Sequence, residues 1–198
     1  MSEDSDIIRR SGATPAAFAE LYDRYARAVF RYAAGRVGNG YADDIMSETF
    51  LVAFERRESF DITIGDARPW LFGIATTLMR KHSRVEAKAW QGLVADGAAA
   101  VPDDAIEAIG SRIDAEVAVK AIAAALRKMP TRDRDALLLY AWADLDYEGV
   151  AQALRIPVGT VRSRLNRARR TLRAASHRGS TPDQEVEHGR NNVAAETA

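Results

Sequence analysis

Apolar residues recur every three or four positions along two separate blocks of the chain, which is the spacing of one face of an α-helix. We find no apolar–polar alternation of the kind that predicts strands, so the pattern indicates an all-α protein. The predicted helices cover about 15–35, 42–57, a segment that starts near Pro69 and has a basic end at Arg84, 114–128, 131–142, 146–154 and 158–175.

The pattern fades outside these two blocks. Glycines, prolines and an alanine run between residues 85 and 113 are typical of a linker. The polar segment 177–198 carries no period, so we expect a disordered tail there. The prediction is two small helical domains, over 15–84 and 114–176, joined by a flexible linker and preceded by an N-terminal extension, residues 1–14.

The end of the second block predicts a helix-turn-helix over about 146–167. Asp146 is expected to cap a short helix, the segment 155–157 to form a tight turn, and the last helix to follow it. Upstream, Thr131 is the expected N-cap of its helix, with Asp133 and Asp135 in the first turn, where acids suit the helix dipole.

The last helix divides into an apolar stripe and a polar face. The stripe, expected to be buried, consists of Val161, Leu165, Ala168 and Leu172. A helix of this kind fits the major groove, where Arg reads guanine and Asn reads adenine. A basic helix that is only solvated, or that binds RNA, is the competing interpretation, and the capped helix and tight turn before it favour DNA. The face opposite the stripe consists of Thr160, Arg162, Ser163, Asn166, Arg167, Arg170 and Arg173.

The chain of 198 residues has 28 basic and 28 acidic side chains, so its net charge is zero. That neutrality is an average over unlike segments. Residues 127–178 hold 12 basic and 5 acidic side chains, and no acid occurs between Glu148 and Asp183. The charge per segment therefore agrees with a nucleic-acid partner although the total does not.

Composition excludes several classes of function. The absence of cysteine excludes disulfides and thiolate sites and is typical of a reducing compartment. We find no apolar stretch of membrane-spanning length and no secretory signal pattern, so we expect a cytoplasmic protein. The three histidines, at 82, 177 and 188, have neither metal-site nor triad spacing. We therefore expect no enzyme activity, no cofactor, no metal and no small-molecule substrate.

Several motifs, in order along the chain, resemble the extracytoplasmic-function (ECF) group of bacterial sigma-70 factors. Residues 42–50 (ADDIMSETF) are similar to sigma region 2.2, and 68–75 (RPWLFGIA) resemble region 2.3 running into 2.4. In the second block, 126–130 (LRKMP), 144–151 (DLDYEGVA) and 157–169 (PVGTVRSRLNRAR) resemble region 4. The resemblance covers roughly residues 15–175, far more than a helix-turn-helix alone.

The resemblance implies an RNA polymerase sigma factor that directs promoter-specific initiation. Region 2 of the family docks on a coiled coil of the polymerase largest subunit and engages the −10 element. Region 4 rests on the flap of the second largest subunit and reads the −35 element. Family members are commonly held by an anti-sigma factor, so polymerase core, promoter DNA and an anti-sigma factor are the expected partners.

Matched position by position, the resemblance implies three sets of site residues. For Phe60, stacking on DNA and filling the core both remain open, with the core favoured. Arg132, Arg155 and Arg170 are further expected partners of the DNA backbone. The sets are Asp43, Asp44, Ile45, Glu48, Thr49 and Phe50 for polymerase docking; Phe60, Asp61, Arg80, Lys81 and Arg84 for the −10 region; and Thr160, Arg162, Ser163, Asn166, Arg167 and Arg170 for the −35 element.

Two positions depart from the family pattern. Thr76 and Thr77 stand where Arg-Asn is common, and Gly149 stands where Glu is common. Without that Glu the Asp146 cap lacks its reciprocal partner, and Gly costs about 1 kcal/mol inside a helix. The alternative function is a stand-alone helix-turn-helix regulator that binds DNA as a dimer without polymerase.

Overall fold

The structure, a computed structural model, describes residues 3–94 and 113–179, and side chains over 3–82 and 121–176. These residues contain helices and no strand, which confirms the predicted fold class. Two single-turn 3₁₀ helices, Pro15–Phe18 and Arg57–Ser59, supplement the α-helices. The α-helices are α1 (Glu3–Ala13), α2 (Ala19–Val37), α3 (Asn39–Glu55), α4 (Arg68–Val94), α5 (Ile113–Lys128), α6 (Thr131–Ala141), α7 (Tyr147–Leu154) and α8 (Val158–Gly179).

The N-terminal unit is a bundle in which α2, α3 and α4 all pack against one another. Leu21, Val29 and Tyr32 form the buried side of α2, in agreement with the predicted spacing. The rings of Tyr32 and Phe72 meet edge to face, with centroids 5.2 Å apart, and join α2 to α4. This core determines the direction of α4, the helix expected to meet the −10 region.

The segment 1–14, expected as an extension, contributes a helix to this bundle. Ile7 and Ile8 of α1 are buried, and so are the polar side chains of Asp4 and Ser5. Helix α1 packs against both 3₁₀ helices of the unit. Its apolar pattern is only two residues long, which is why periodicity did not predict it.

The C-terminal unit gathers α5, α6 and α7 around α8. Val161, Leu165 and Ala168 of α8 are fully buried, which confirms the predicted stripe at these positions, and its fourth member, Leu172, is half-buried against the same core. The Asp146 carboxylate accepts a 2.7 Å hydrogen bond from the Gly149 backbone N–H, so the predicted cap of α7 is also confirmed.

Some predicted boundaries were wrong. Pro130, not Thr131, precedes the first turn of α6 as its N-cap, and no side chain caps that helix. Helix α4 continues to Val94, into the predicted linker, because its sequence contains no proline or capping residue near 84. The rest of the predicted linker, 95–112, and the predicted tail from 180 onward lie outside the described residues.

The two units contact each other along α4 and α7. A Cβ atom added at Gly73 of α4 would lie 2.7 Å from the carbonyl oxygen of Ala153 in α7, so only glycine permits this approach. Asp135 of α6 is fully buried and accepts hydrogen bonds from Arg36 of α2 and Arg80 of α4. We call Arg36, Arg80 and Asp135 the Asp135 cluster.

Candidate nucleic-acid interface

The predicted −35 face of α8 is directed to solvent. Arg162, Ser163, Asn166 and Arg170 are exposed, and Thr160 at the start of the helix is half-buried. The Ser163 hydroxyl donates a 2.9 Å hydrogen bond to the Thr160 carbonyl. The lone pairs of the Ser163 oxygen can still accept a hydrogen bond from outside the helix. Arg162 and Asn166 lie one helical turn apart on this face, the spacing needed to reach neighbouring base edges.

Arg167 belongs to the same face but has an acidic partner. Its guanidinium donates hydrogen bonds of 2.9 and 3.0 Å to the two oxygens of the Asp133 carboxylate, a bidentate pair. This pair raises the pKa of Arg167. Asp133 is buried within α6, so it attaches α6 to α8 rather than only favouring the helix dipole as the sequence indicated.

The segment after the second 3₁₀ helix forms an exposed loop, residues 61–67, which we call the connector loop. Asp61 accepts hydrogen bonds from the Thr63 hydroxyl (2.7 Å) and the Thr63 backbone N–H (2.9 Å), and these bonds lower the pKa of Asp61. Ile62 between them is 46% exposed. Sequence reasoning missed Ile62, although an apolar residue between two polar loop residues is the signal that identifies it.

Phe60 lies in the core, which is the alternative that the sequence favoured over stacking on DNA. The side chain is 7% exposed, and its ring packs against Trp70 at a centroid distance of 5.1 Å. Stacking on a base requires an open ring face, which Phe60 does not have in this structure.

The basic end of α4 has mixed surroundings. Lys81 is exposed, while Arg80 donates from Nε and Nη2 to the Asp135 carboxylate at 2.6 Å. The side chain of Arg84 lies outside the described side chains. One of the cations predicted to meet DNA phosphates is thus bonded to the other unit.

Three of the predicted polymerase-docking residues are in the core. Ile45, Thr49 and Phe50 are 2%, 0% and 5% exposed, so they are unavailable to a partner. Helix α3 is apolar on more than one side, and the pattern alone did not separate its inner side from its outer side.

The outer side of α3 carries the remaining docking residues. Asp43, Asp44 and Glu48 are exposed, and Leu51, which sequence reasoning missed, is 57% exposed. Leu51 lies three residues after Glu48 and seven after Asp44, so the three share one helix face. That face combines an apolar centre with acids, the arrangement expected to bind a basic surface.

The two departures from the family pattern have structural explanations. A Cβ at Gly149 would lie 3.1 Å from the Asp146 carboxylate, which is a tight contact, and 3.4 Å from Pro69 of the other unit, which is an ordinary one, so the glycine mainly relieves crowding at the cap. Thr76 is buried, and its hydroxyl lies 2.9 Å from that of Tyr32. Thr77 is exposed and donates to the Gly73 carbonyl.

Other classes of site find no support in the part of the chain that the structure describes. Over residues 3–94 and 113–179, no group of three or more potential metal ligands comes together. Within the same ranges, no helix has both the length and the hydropathy needed to cross a bilayer.

Fold and site together define a two-domain helical protein of the helix-turn-helix class. Two family models match: that of sigma-70 region 2 over residues 21–89, and that of sigma-70 region 4 over residues 120–172. The chain is 31% identical over 173 residues to the ECF RNA polymerase sigma factor SigW of Bacillus subtilis, across 79% of this chain and 87% of SigW. The protein therefore belongs to the ECF group of the sigma-70 family.

Solved structures have the same fold. CnrH, solved in complex with the cytosolic domain of CnrY, superimposes with a TM-score of 0.61 at 24% identity, over 86% of this chain and 95% of CnrH. The sigma factor RpoE of Bartonella quintana, solved with the anti-sigma factor NepR, gives a TM-score of 0.59 at 22% identity, over 80% and 95% of the two chains.

Proposed function

We propose that the protein binds bacterial core RNA polymerase and directs initiation at promoters with −10 and −35 elements. The observation that carries this function is the two-sided structure of α8, in a chain that belongs to the sigma-70 family. One side of α8 is buried through Val161 and Leu165, and the other exposes Arg162 and Asn166. The buried side fixes α8 in the unit, so the exposed side can present base-reading side chains on a rigid support.

Each surface has a proposed role. Thr160, Arg162, Ser163 and Asn166 read the −35 element, while Arg167 and Arg170 contact phosphates, since base contacts specify and phosphate contacts position. Asp61 with its neighbours Ile62 and Thr63, together with Arg80, Lys81 and Arg84, serves the −10 region. Asp43, Asp44, Glu48 and Leu51 form the polymerase-docking face, where Leu51 supplies apolar contact and the acids supply register.

The packed arrangement of the two units is too short to read both elements together. The elements are about 25 base pairs apart, or about 85 Å at 34–36 Å per helical turn. A compact chain of this length measures about 45 Å across. We therefore propose that the packed arrangement precedes promoter binding and that region 4 leaves α4 when the promoter is read.

Transcription in vitro tests the main proposal. Purified protein and bacterial core polymerase are incubated with a promoter library, and run-off products are sequenced. We expect initiation that needs both components and an enriched pair of upstream elements. The absence of core-dependent initiation on any member of the library would refute the function.

A stand-alone regulator would give a different result in a DNA-binding assay. Such a protein would bind specific DNA as a dimer, and polymerase would leave its affinity unchanged. Mobility-shift titrations with and without core polymerase separate the two functions, because we expect sequence-specific binding to require core polymerase.

We also propose control by an anti-sigma factor. Support comes from the family resemblance and from the solved complex of RpoE with the anti-sigma factor NepR, a protein of the same fold. Affinity purification of the tagged chain from its host, with and without inducing stress, is expected to recover one recurring partner that blocks run-off transcription when added back. Purification without any such inhibitor would contradict this part of the proposal.

A further inference from the structure

A buried carboxylate in α1 holds one end of the connector loop. Asp4 is 4% exposed, and its Oδ2 accepts a 3.0 Å hydrogen bond from the backbone N–H of Ala67, where the loop enters α4. The same carboxylate accepts from the Tyr25 hydroxyl at 2.7 Å and from the guanidinium of Arg24. Asp4 thus joins α1, α2 and the loop through three donors.

The neighbouring residue holds the loop closer to its exposed tip. The Ser5 hydroxyl donates a 2.9 Å hydrogen bond to the carbonyl of Ile64, and Ser5 is fully buried. Ile64 follows directly after Asp61, Ile62 and Thr63, the exposed residues of the loop. Two adjacent residues of α1 therefore fix the loop at two points, three residues apart.

This arrangement is informative because a buried carboxylate is costly unless its bonds are satisfied. Apolar contact already attaches α1 to the bundle through the buried side chains of Ile7 and Ile8. Asp4 and Ser5 also fix the orientation of the loop, because they hold a backbone N–H and a backbone carbonyl of a segment that has no regular structure of its own. A loop that is ordered before binding loses less conformational entropy when it captures a base.

We infer that Asp4 and Ser5 are positioning residues for −10 recognition, holding the connector loop in the conformation that meets the −10 element. This inference rests on the proposed function, in which the connector loop meets the −10 element. It assigns to the N-terminal helix a role in promoter selectivity, although neither residue touches DNA.

The test is a measurement of selectivity rather than of activity. Run-off transcription is carried out with full-length protein and core polymerase on a library randomised at −10 with a constant −35 element. The quantity measured is the ratio of product from the preferred −10 sequence to product from its single-base variants. This ratio does not depend on the fraction of folded protein, so a purely structural role of Asp4 leaves it unchanged.

Two variants and two matched controls define the outcomes. Asp4→Asn and Ser5→Ala weaken the loop contacts. Asp6→Asn and Ser11→Ala alter the same helix at positions that do not bond the loop in the part of the chain that the structure describes. Asp6 pairs with Arg9 and Arg10 of its own helix, and the Ser11 hydroxyl donates to the Ile8 carbonyl. The wild type is expected to discriminate against a wrong base by about 5- to 150-fold, and Asp4→Asn to lower this ratio about fivefold, Ser5→Ala about twofold and the controls not at all.

Two results would overturn the inference. If product falls equally on all library members in both variants, Asp4 and Ser5 only stabilise the fold. If both variants keep wild-type yields and ratios, the loop does not need them. Failure of the proposed function looks different, since in that case the wild-type protein itself shows no −10 preference with core polymerase.

Discussion

Helices α4 and α8 are the two basic helices that we expect to meet DNA, and their arginines have different surroundings. Arg80 of α4 bonds Asp135 of the other unit, and α7 packs against Gly73 of the same helix. Arg162 and Arg170 of α8 are exposed, and among the described residues neither has an ion pair. In the packed arrangement, a DNA phosphate can reach α8, whereas Arg80 of α4 must first lose the Asp135 carboxylate.

This difference shows that two DNA-binding surfaces in one chain can differ in how accessible they are to DNA. A carboxylate and a phosphate compete for the same guanidinium, because two oxygens of either anion can accept hydrogen bonds from it side by side. Asp135 therefore acts as an internal competitor at α4, and α8 has no comparable partner at Arg162. Four predictions test this comparison.

The largest effect is expected from removing the shared carboxylate. In Asp135→Ala, the side chain of Arg36, only 7% exposed, keeps the Tyr32 hydroxyl at 2.9 Å but loses its anion. Losing one partner of a buried pair costs about 3–5 kcal/mol, and the remaining bond places this case near the lower value. Separation of the units returns Arg36 to water, so we expect the ratio of packed to separated protein to fall about 100-fold.

Distances between spin labels measure this separation. The chain has no cysteine, so Ala16→Cys and Ala174→Cys provide one label in each unit without a background signal. We expect a longer and broader distance distribution in Asp135→Ala. Asp133→Ala is the matched control, because Asp133 pairs within its own unit; equal distributions for all three proteins would disprove the competitor role.

A smaller separation is expected from a single methyl group at the unit boundary. The Cβ of Gly73→Ala would lie 2.7 Å from the Ala153 carbonyl oxygen, a backbone atom that cannot turn away. Such overpacking costs about 1–3 kcal/mol. In the isolated helix the same change is favourable by about 1 kcal/mol, since alanine is the better helix former.

Gly73→Ala therefore has two opposite effects that can be measured separately. We expect longer label distances together with an unchanged or higher unfolding temperature. Gly159→Ala is the control, because a Cβ at that helical position meets no atom within 4 Å. A Gly73→Ala protein that stays packed would show that α4 and α7 can slide apart locally and that the boundary does not depend on this glycine.

The exposed face of α8 was predictable from the sequence and the buried side of α3 was not, for a physical reason. Helix α8 is apolar on one side only, so Val161, Leu165 and Ala168 identify the buried side without knowledge of the rest. Helix α3 is apolar on several sides, and the sequence could not assign Ile45 to the core. The Asp146 cap, whose partner Gly149 lies three residues away, was also predicted correctly.

Contacts between distant residues were not predictable from a local pattern. Asp135 bonds arginines 99 and 55 residues away, and Asp4 bonds Ala67 across 63 residues. The sequence indicates only that Asp135 suits the start of a helix, and it places Asp4 in an N-terminal extension without predicted structure. Gly149 is a similar case, since a Cβ at this position would contact Pro69 of the other unit, 80 residues away in the sequence, at 3.4 Å.

Within α8 itself, Arg162 and Arg167 are expected to differ. Arg162→Ala removes a proposed base contact, so −35 preference relaxes at one position and affinity falls by about 1–3 kcal/mol. Arg167→Ala removes a phosphate contact that already competes with Asp133, so the loss is smaller and similar for all sequences. Fluorescence anisotropy of the protein with core polymerase on −35 variants measures both; an unchanged −35 profile in Arg162→Ala means that another face of α8 reads the element.

The smallest effect is expected from the acid that pairs with Arg167. Asp133→Asn keeps the shape of α6 but releases the guanidinium of Arg167, whose side chain is 50% exposed. An exposed pair is worth about 0.2–1 kcal/mol, so affinity for any duplex should rise about 1.5- to 5-fold. One additional phosphate contact also makes the slope of log K against log salt steeper by about 0.9. Anisotropy titrations of a duplex without a promoter, over a series of KCl concentrations, measure both quantities. Asp146→Asn is the control, since the Asp146 carboxylate caps α7 and faces no arginine in the described hydrogen bonds. A slope equal to that of the wild type would mean that Arg167 meets no phosphate, which would leave Asp133 with a structural role and make Asp135 the sole internal competitor.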